Sequence, residues 1–150
     1  MRVETLSDVM AWTRSVHRKL AEAIDQGVVD SGDERLHMLA DYLSEHERRL
    51  TRVLEQAEAD AQKSVLNTWV YEFFRNVAVK HHDEFDFHSK DADQLLTDVL
   101  QVHEEIIAVY RELAGRADQN STRELLENLC SLEEHETMRT ARDAGMLRDL

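Results

Sequence analysis

From Leu36 to Leu54 the chain reads LHMLADYLSEHERRLTRVL, its clearest helical pattern. Leu36, Leu39, Ala40, Leu43, Leu50, Val53, Leu54 and, just beyond, Ala57 recur at three-and-four spacing, which gathers them into one stripe of an α-helix. His46 and Glu47 interrupt that stripe. At about 100° per residue they straddle its centre line, so one or both point toward the core, where an unpaired polar group is costly. The fold therefore has to supply them with a partner. The phrase also returns near the C-terminus, where Leu43-Ser44-Glu45-His46-Glu47 is echoed by Leu132-Glu133-Glu134-His135-Glu136.

The same period predicts three more long helices. Thr5 is placed to cap the first, whose face runs through Leu6, Val9, Met10, Thr13, His17, Leu20 and Ile24 as far as Gly27. Ser31 with Glu34 has the spacing of a capping box and opens the second, which extends to about Asp60. Asp91 with Gln94 starts the third, through Leu95, Val99, Val102, Ile106, Tyr110 and Leu113 to Gly115. Ser121 with Glu124 opens the fourth, with Leu125, Leu129 and Leu132 on its inner face and Gly145 as its stop. Short links make each successive pair an antiparallel hairpin.

Between the hairpins, residues 63–90 carry Trp69, Tyr71, Phe73, Phe74, Phe85 and Phe87. Helical spacing of Trp69, Val70, Phe73, Phe74 and Val77 predicts a further helix from Ser64 to about Val79, followed by the acidic HHDEFDFHSKD. A segment this long can carry the chain from one end of a bundle to the other, so the third helix need not be antiparallel to the second. The aromatics read first as core packing and a lid over the bundle end. Aromatic surface left over is expected to be covered by a second copy of the chain, giving a homodimer with residues 69–87 at or near the contact.

Composition narrows the class. With no proline, four glycines, 33% charged and 42% hydrophobic residues, 150 residues read as one all-α domain over 1–150. A net charge of −13, spread along the chain, argues against nucleic acid or an anionic membrane as partner. The single cysteine, Cys130, excludes an internal disulfide and an all-cysteine metal site. The first residues, MRVETLSDVMAW, lack the apolar core of a signal peptide, and a cytoplasmic location is expected. Phosphate-loop and nucleophile-elbow motifs are absent, so nucleotide hydrolysis and acyl transfer have no support.

The chemistry lies in the histidines. Val16-His17 with Leu20 in the first helix matches Val102-His103 with Ile106 in the third, as His46 in the second matches His135 in the fourth. Counting from the turns brings His17 level with His46, and His103 level with His135, to within about one helical turn of 5 Å. By helical angle Glu136 is nearer the centre of the fourth helix than His135, so the second and fourth helices can each offer His, Glu or both. Imidazoles and carboxylates gathered inside a bundle suit iron, manganese, zinc or copper. The alternative is a metal-free scaffold whose core histidines are neutral and hydrogen-bonded to neighbours. The group His81, His82, Asp83, Glu84, Asp86 and His88 reads as a solvated connector, and His37 as exposed.

The hairpin, crossover, hairpin plan, with LADYLSEHERRL and LENLCSLEEHETMR, resembles the ferritin-like superfamily, most nearly its rubrerythrin-type branch, across almost the whole chain. The resemblance implies a ferritin-like four-helix bundle holding two iron or manganese ions that react with oxygen or peroxide. In those families the ligands are a glutamate on helices 1 and 3 and a Glu-x-x-His on helices 2 and 4. This chain keeps His46 and His135 but has Leu43 and Leu132 at the glutamates of the motif, and offers His17 and His103 on the other two helices. The expectation is thus a histidine-rich centre of redox or metal-handling character, drawn from His17, His46, Glu47, His103, His135 and Glu136, with iron, manganese or zinc. Hemerythrin-like proteins are the second resemblance, but their His-x-x-x-Glu would need glutamates where Leu50 and Arg139 stand.

Overall fold

The computed structural model describes residues 3–70 and 84–150. They form α1 (Leu6–Gly27), α2 (Glu34–Asp60), the single turn α3 (Lys63–Leu66), α4 (Ala92–Arg116) and α5 (Asn120–Arg148). Among the described residues there is no strand, only an isolated antiparallel bridge between Thr5 and Trp69. None of these helices is long and apolar enough to cross a membrane.

Helix starts follow local side-chain chemistry. Thr5 caps α1 in a reciprocal box with Asp8, whose carboxylate takes the Thr5 and Glu4 N–H groups at 3.1 and 3.0 Å. Asp91 caps α4 by accepting from Gln94 N at 2.8 Å. Two expected caps are replaced. Asp33, not Ser31, caps α2, because its carboxylate reaches both the Arg35 and Leu36 N–H groups while Ser31 Oγ holds the Asp33 N–H. Helix α5 begins at Asn120, ahead of the Ser121/Glu124 pair, with Arg123 N already bonded to Gln119 O at 3.0 Å. His37, expected to be exposed, is half-buried and holds the Ser31 carbonyl at 2.7 Å.

Contacts between helices fix their directions. Ser7 Oγ donates to Glu58 Oε1 at 2.8 Å, setting the start of α1 against the end of α2. Arg148 Nε lies 3.4 Å from Asp93 Oδ1, setting the end of α5 against the start of α4. Each pair is an antiparallel hairpin. Tyr42 and Asp143 meet at one end of the α2/α5 contact, and Thr68, just past α2, meets Thr122 at the other, so these helices are also antiparallel. It follows that α2 and α4 run parallel, with Val70 held at the start of α1 and Phe87 against its last residue, Gly27. The core between them is apolar, with Leu6, Leu20, Ile24, Leu39, Leu43, Leu54, Val99 and Ile106 fully buried.

Of the helix expected from Ser64 to Val79, the described part is the single turn Lys63–Leu66, and residues 67–70 are not helical. The chain then extends along the N-terminus, where Thr68 O accepts from Leu6 N at 3.0 Å and Val70 N donates to Glu4 O at 2.8 Å. The first N–H groups of a helix lack intrahelical partners, and Thr68 supplies one from outside. Residues 71–79 of that expectation lie outside the described residues, as do Tyr71, Phe73, Phe74, His81, His82 and Asp83. Trp69 is half-exposed, whereas Phe87 is buried against α1 and stacks on Phe85 at 6.1 Å. Asp86 and His88 are exposed and bonded to each other.

In α5 the inner face differs from expectation. Thr122, Leu126, Leu129, Glu133, Thr137, Thr140 and Ala144 are buried, while Leu125 and Leu132 sit half-buried on the flanks. Leu129 is buried as expected, but the buried stripe is centred up to one residue, roughly 100°, away from Leu125 and Leu132, because Leu126, Glu133 and three threonines share it.

Close approach of Phe87 to α1 depends on Gly27, where an added Cβ would fall 2.8 Å from Phe87 Cβ and 2.9 Å from its backbone. We expect Gly27→Ala to destabilise the protein by about 1–3 kcal/mol, as overpacking does. Gly115→Ala meets open space inside α4 and should stabilise by about 0.5–1 kcal/mol. Urea denaturation of the two variants checks both signs, and equal effects would show that Phe87 does not bear on Gly27 in solution.

Candidate metal centre

Four helices each send one fully buried polar side chain to a single level: His17 from α1, Glu47 from α2, His103 from α4 and Glu133 from α5. Glu47 is the hub. Its Oε2 takes His17 Nδ1 at 2.5 Å and its Oε1 takes His103 Nε2. The outer nitrogens are also held, His17 Nε2 by Glu133 Oε1 at 2.8 Å and His103 Nδ1 by Thr137 Oγ1 at 3.2 Å. The two rings lie edge to face with centroids 5.4 Å apart. One turn away Tyr110 donates to Thr13 Oγ1 at 2.7 Å, and Thr13 in turn donates to the Met10 carbonyl.

Burial and charge oppose each other here. Desolvation alone would strip the proton from His17, but the carboxylates of Glu133 and Glu47 outweigh it and raise the imidazole from 6.5 to about 10. Burial also works against ionised Glu47, yet His103 and His17 overcome it and hold the carboxyl far below the usual carboxylate range. Without a metal, then, the flanking Glu133 and Glu47 favour the protonated form of His17.

The residues expected to form one layer divide into three groups. His17, Glu47 and His103 come together, with ligand atoms all within 4.8 Å of one another. His46 and Glu136 form a separate pair beside them, His46 Nε2 lying 3.3 Å from Glu136 Oε2. His46 stacks on Tyr42 with centroids 6.0 Å apart, and burial keeps its imidazole below the ordinary value. His135 is exposed and does not face His103; the turn of α5 points it to a surface groove with Met138, Arg139 and Arg142. Glu133 was not singled out from the sequence, although it falls on the buried repeat Leu126, Leu129, Glu133, Thr137.

The donor set suits a transition-metal ion. Two imidazole nitrogens, His17 Nδ1 and His103 Nε2, converge with one carboxylate, a combination common to non-haem iron and zinc sites. Glu133 and Thr137 hold the far nitrogens as outer partners hold metal-ligating histidines. Glu133 Oε2 is buried without a hydrogen-bond partner, which leaves the metal-free network incomplete at one atom.

The charge network makes a pH prediction for the metal-free protein. Because His17 is raised, its contribution to stability is complete below 6.5 and is lost as pH climbs toward about 10. Because Glu47 is lowered, its contribution is complete above 4.5 and is lost as pH falls below that value. The network should therefore contribute most between these limits. Melting in chelator from pH 6 to 10 should show an alkaline fall that His17→Gln flattens; parallel profiles would mean that His17 is neutral in the folded chain.

No protein-family model, no curated protein and no solved structure matches this chain.

Proposed function

We propose that the protein is a ferritin-like four-helix bundle that binds a divalent transition metal, iron, manganese or zinc, through His17, Glu47 and His103. The convergence of two imidazoles and a carboxylate at a fully buried level carries this reading. The orphaned Glu133 Oε2 and the outer contacts that orient both rings support it. The parallel course of α2 and α4, with a long connection between two hairpins, supports the ferritin-like part. When bound, the ion would supply Lewis-acid or redox chemistry. The chain itself orients the two imidazoles, excludes bulk water and holds His17 Nε2 against Glu133.

Metal and proton compete for His17 Nδ1 in this scheme, so uptake releases protons and tightens as pH rises. The second reading, a metal-free scaffold, is favoured by the hydrogen bonds already made at all four ring nitrogens of His17 and His103.

Elemental analysis and titration of untagged protein separate the two. We expect about one equivalent of Fe(II), Mn(II) or Zn(II) to depend on Glu47 and His103. At 100 times its dissociation constant the ion should add about 2.7 kcal/mol to unfolding stability, a gain that Glu47→Gln removes. No metal in the isolated protein and none taken up by the apoprotein would leave the scaffold reading. Where metal is bound, oxygen uptake with Fe(II) distinguishes a reactive centre from a structural one.

A further inference from the structure

Beside the buried centre, two polar atoms face each other without sharing a proton. His46 Nε2 and Glu136 Oε2 are 3.3 Å apart, and both are buried with no hydrogen-bond partner. The His46 residue is only 6% exposed, so water does not make up the deficit in bulk. One turn beyond Glu136 on the same helix, the buried Thr140 hydroxyl is also without a partner. Buried polar atoms are nearly always paired, and the facing orphans His46 Nε2 and Glu136 Oε2 call for a missing ligand.

The spacing says what kind. Two ligands of a tetrahedral ion with bonds of about 2.0–2.1 Å lie about 3.3–3.4 Å apart, which matches the separation of His46 Nε2 and Glu136 Oε2. A groove of about 420 Å³ leads to this point from solvent, with His46 in its lining and Asp41, Glu45 and Asp143 among its walls. Arg49 and Arg139 share this lining, so its three carboxylates exceed its two guanidinium groups by one. Arg49, also in the groove, lies 3.9 Å from Glu136 Oε1, which leaves Oε2 as the free oxygen of that carboxylate.

We infer that His46 and Glu136 form a second divalent-cation site, open to solvent through the Tyr42/Asp143 groove and separate from the buried centre. The separation follows from Glu47, whose two oxygens are committed to His17 and His103 and leave neither to bridge toward His46. An imidazole with a carboxylate selects Zn(II), Fe(II) or Co(II) over magnesium or calcium. Two protein ligands and an open approach make the ion exchangeable, with water completing its shell.

Co(II) titration of the apoprotein, followed by visible absorption and metal analysis, tests the assignment. The expected result is two equivalents, of which the weaker is lost in His46→Ala and in Glu136→Gln while the tighter remains. Glu47→Gln should do the reverse, losing the tighter and keeping the one that depends on His46. His135→Ala removes an exposed histidine and should change neither. Retention of every equivalent in folded His46→Ala and Glu136→Gln, verified by circular dichroism, overturns the second site and leaves the buried centre standing. A single equivalent in the unmutated protein, unchanged in Glu47→Gln and His103→Ala but lost in His46→Ala, upholds the second site while removing the buried one.

Discussion

Everything at the centre of this protein turns on one carboxylate that serves two imidazoles. Glu47 is fully buried, and an isolated carboxylate there would be driven to protonate. It stays ionised because His17 from α1 and His103 from α4 each give it a hydrogen bond, and those helices belong to different hairpins. A buried ionic network of this kind seldom adds much net stability compared with apolar packing. What it restricts is register. Sliding any of the four helices by one turn, about 5 Å, would strand a charge in the core.

Much of this was legible in the chain. The inner faces of α1, α2 and α4 are marked by aliphatic residues, so His17, Glu47 and His103 stood out as polar residues among leucines and valines. Thr5 and Asp91 announced their helices because an N-cap is a local interaction. In α5 the pattern failed for a physical reason. Leu129 is buried as expected, but Thr122, Thr137 and Thr140 share its face while Leu125 and Leu132 sit to the side, so hydrophobicity alone sets the stripe off-centre and hides Glu133. In the segment after Ser64 the helical expectation fails over residues 67–70, where the open N–H of Leu6 and the carbonyl of Glu4 offer Thr68 and Val70 partners outside a helix, while residues 71–79 lie outside the described residues.

The echo between LSEHE and LEEHE is thus a likeness of sequence that the fold does not honour. Glu47 lies at the centre of the network, whereas Glu136, its counterpart in the repeat, stands at the edge with His46. Leu43 is fully buried and Leu132 is not. A rotation of about 100° of one helix is enough to give identical residue types unlike environments.

The parallel course of α2 and α4 bears on how the chain reaches its native state. Each hairpin closes over a short turn and can collapse early through contacts that are local in sequence. Docking one hairpin on the other closes the much longer loop between α2 and α4, with a larger loss of chain entropy. His17 and Glu47 belong to the first hairpin, His103 and Glu133 to the second. The His17–Glu47 bond lies within the first hairpin, but the bonds of Glu47 to His103 and of His17 to Glu133 cross between the two, so the polar cluster is completed only when the hairpins dock.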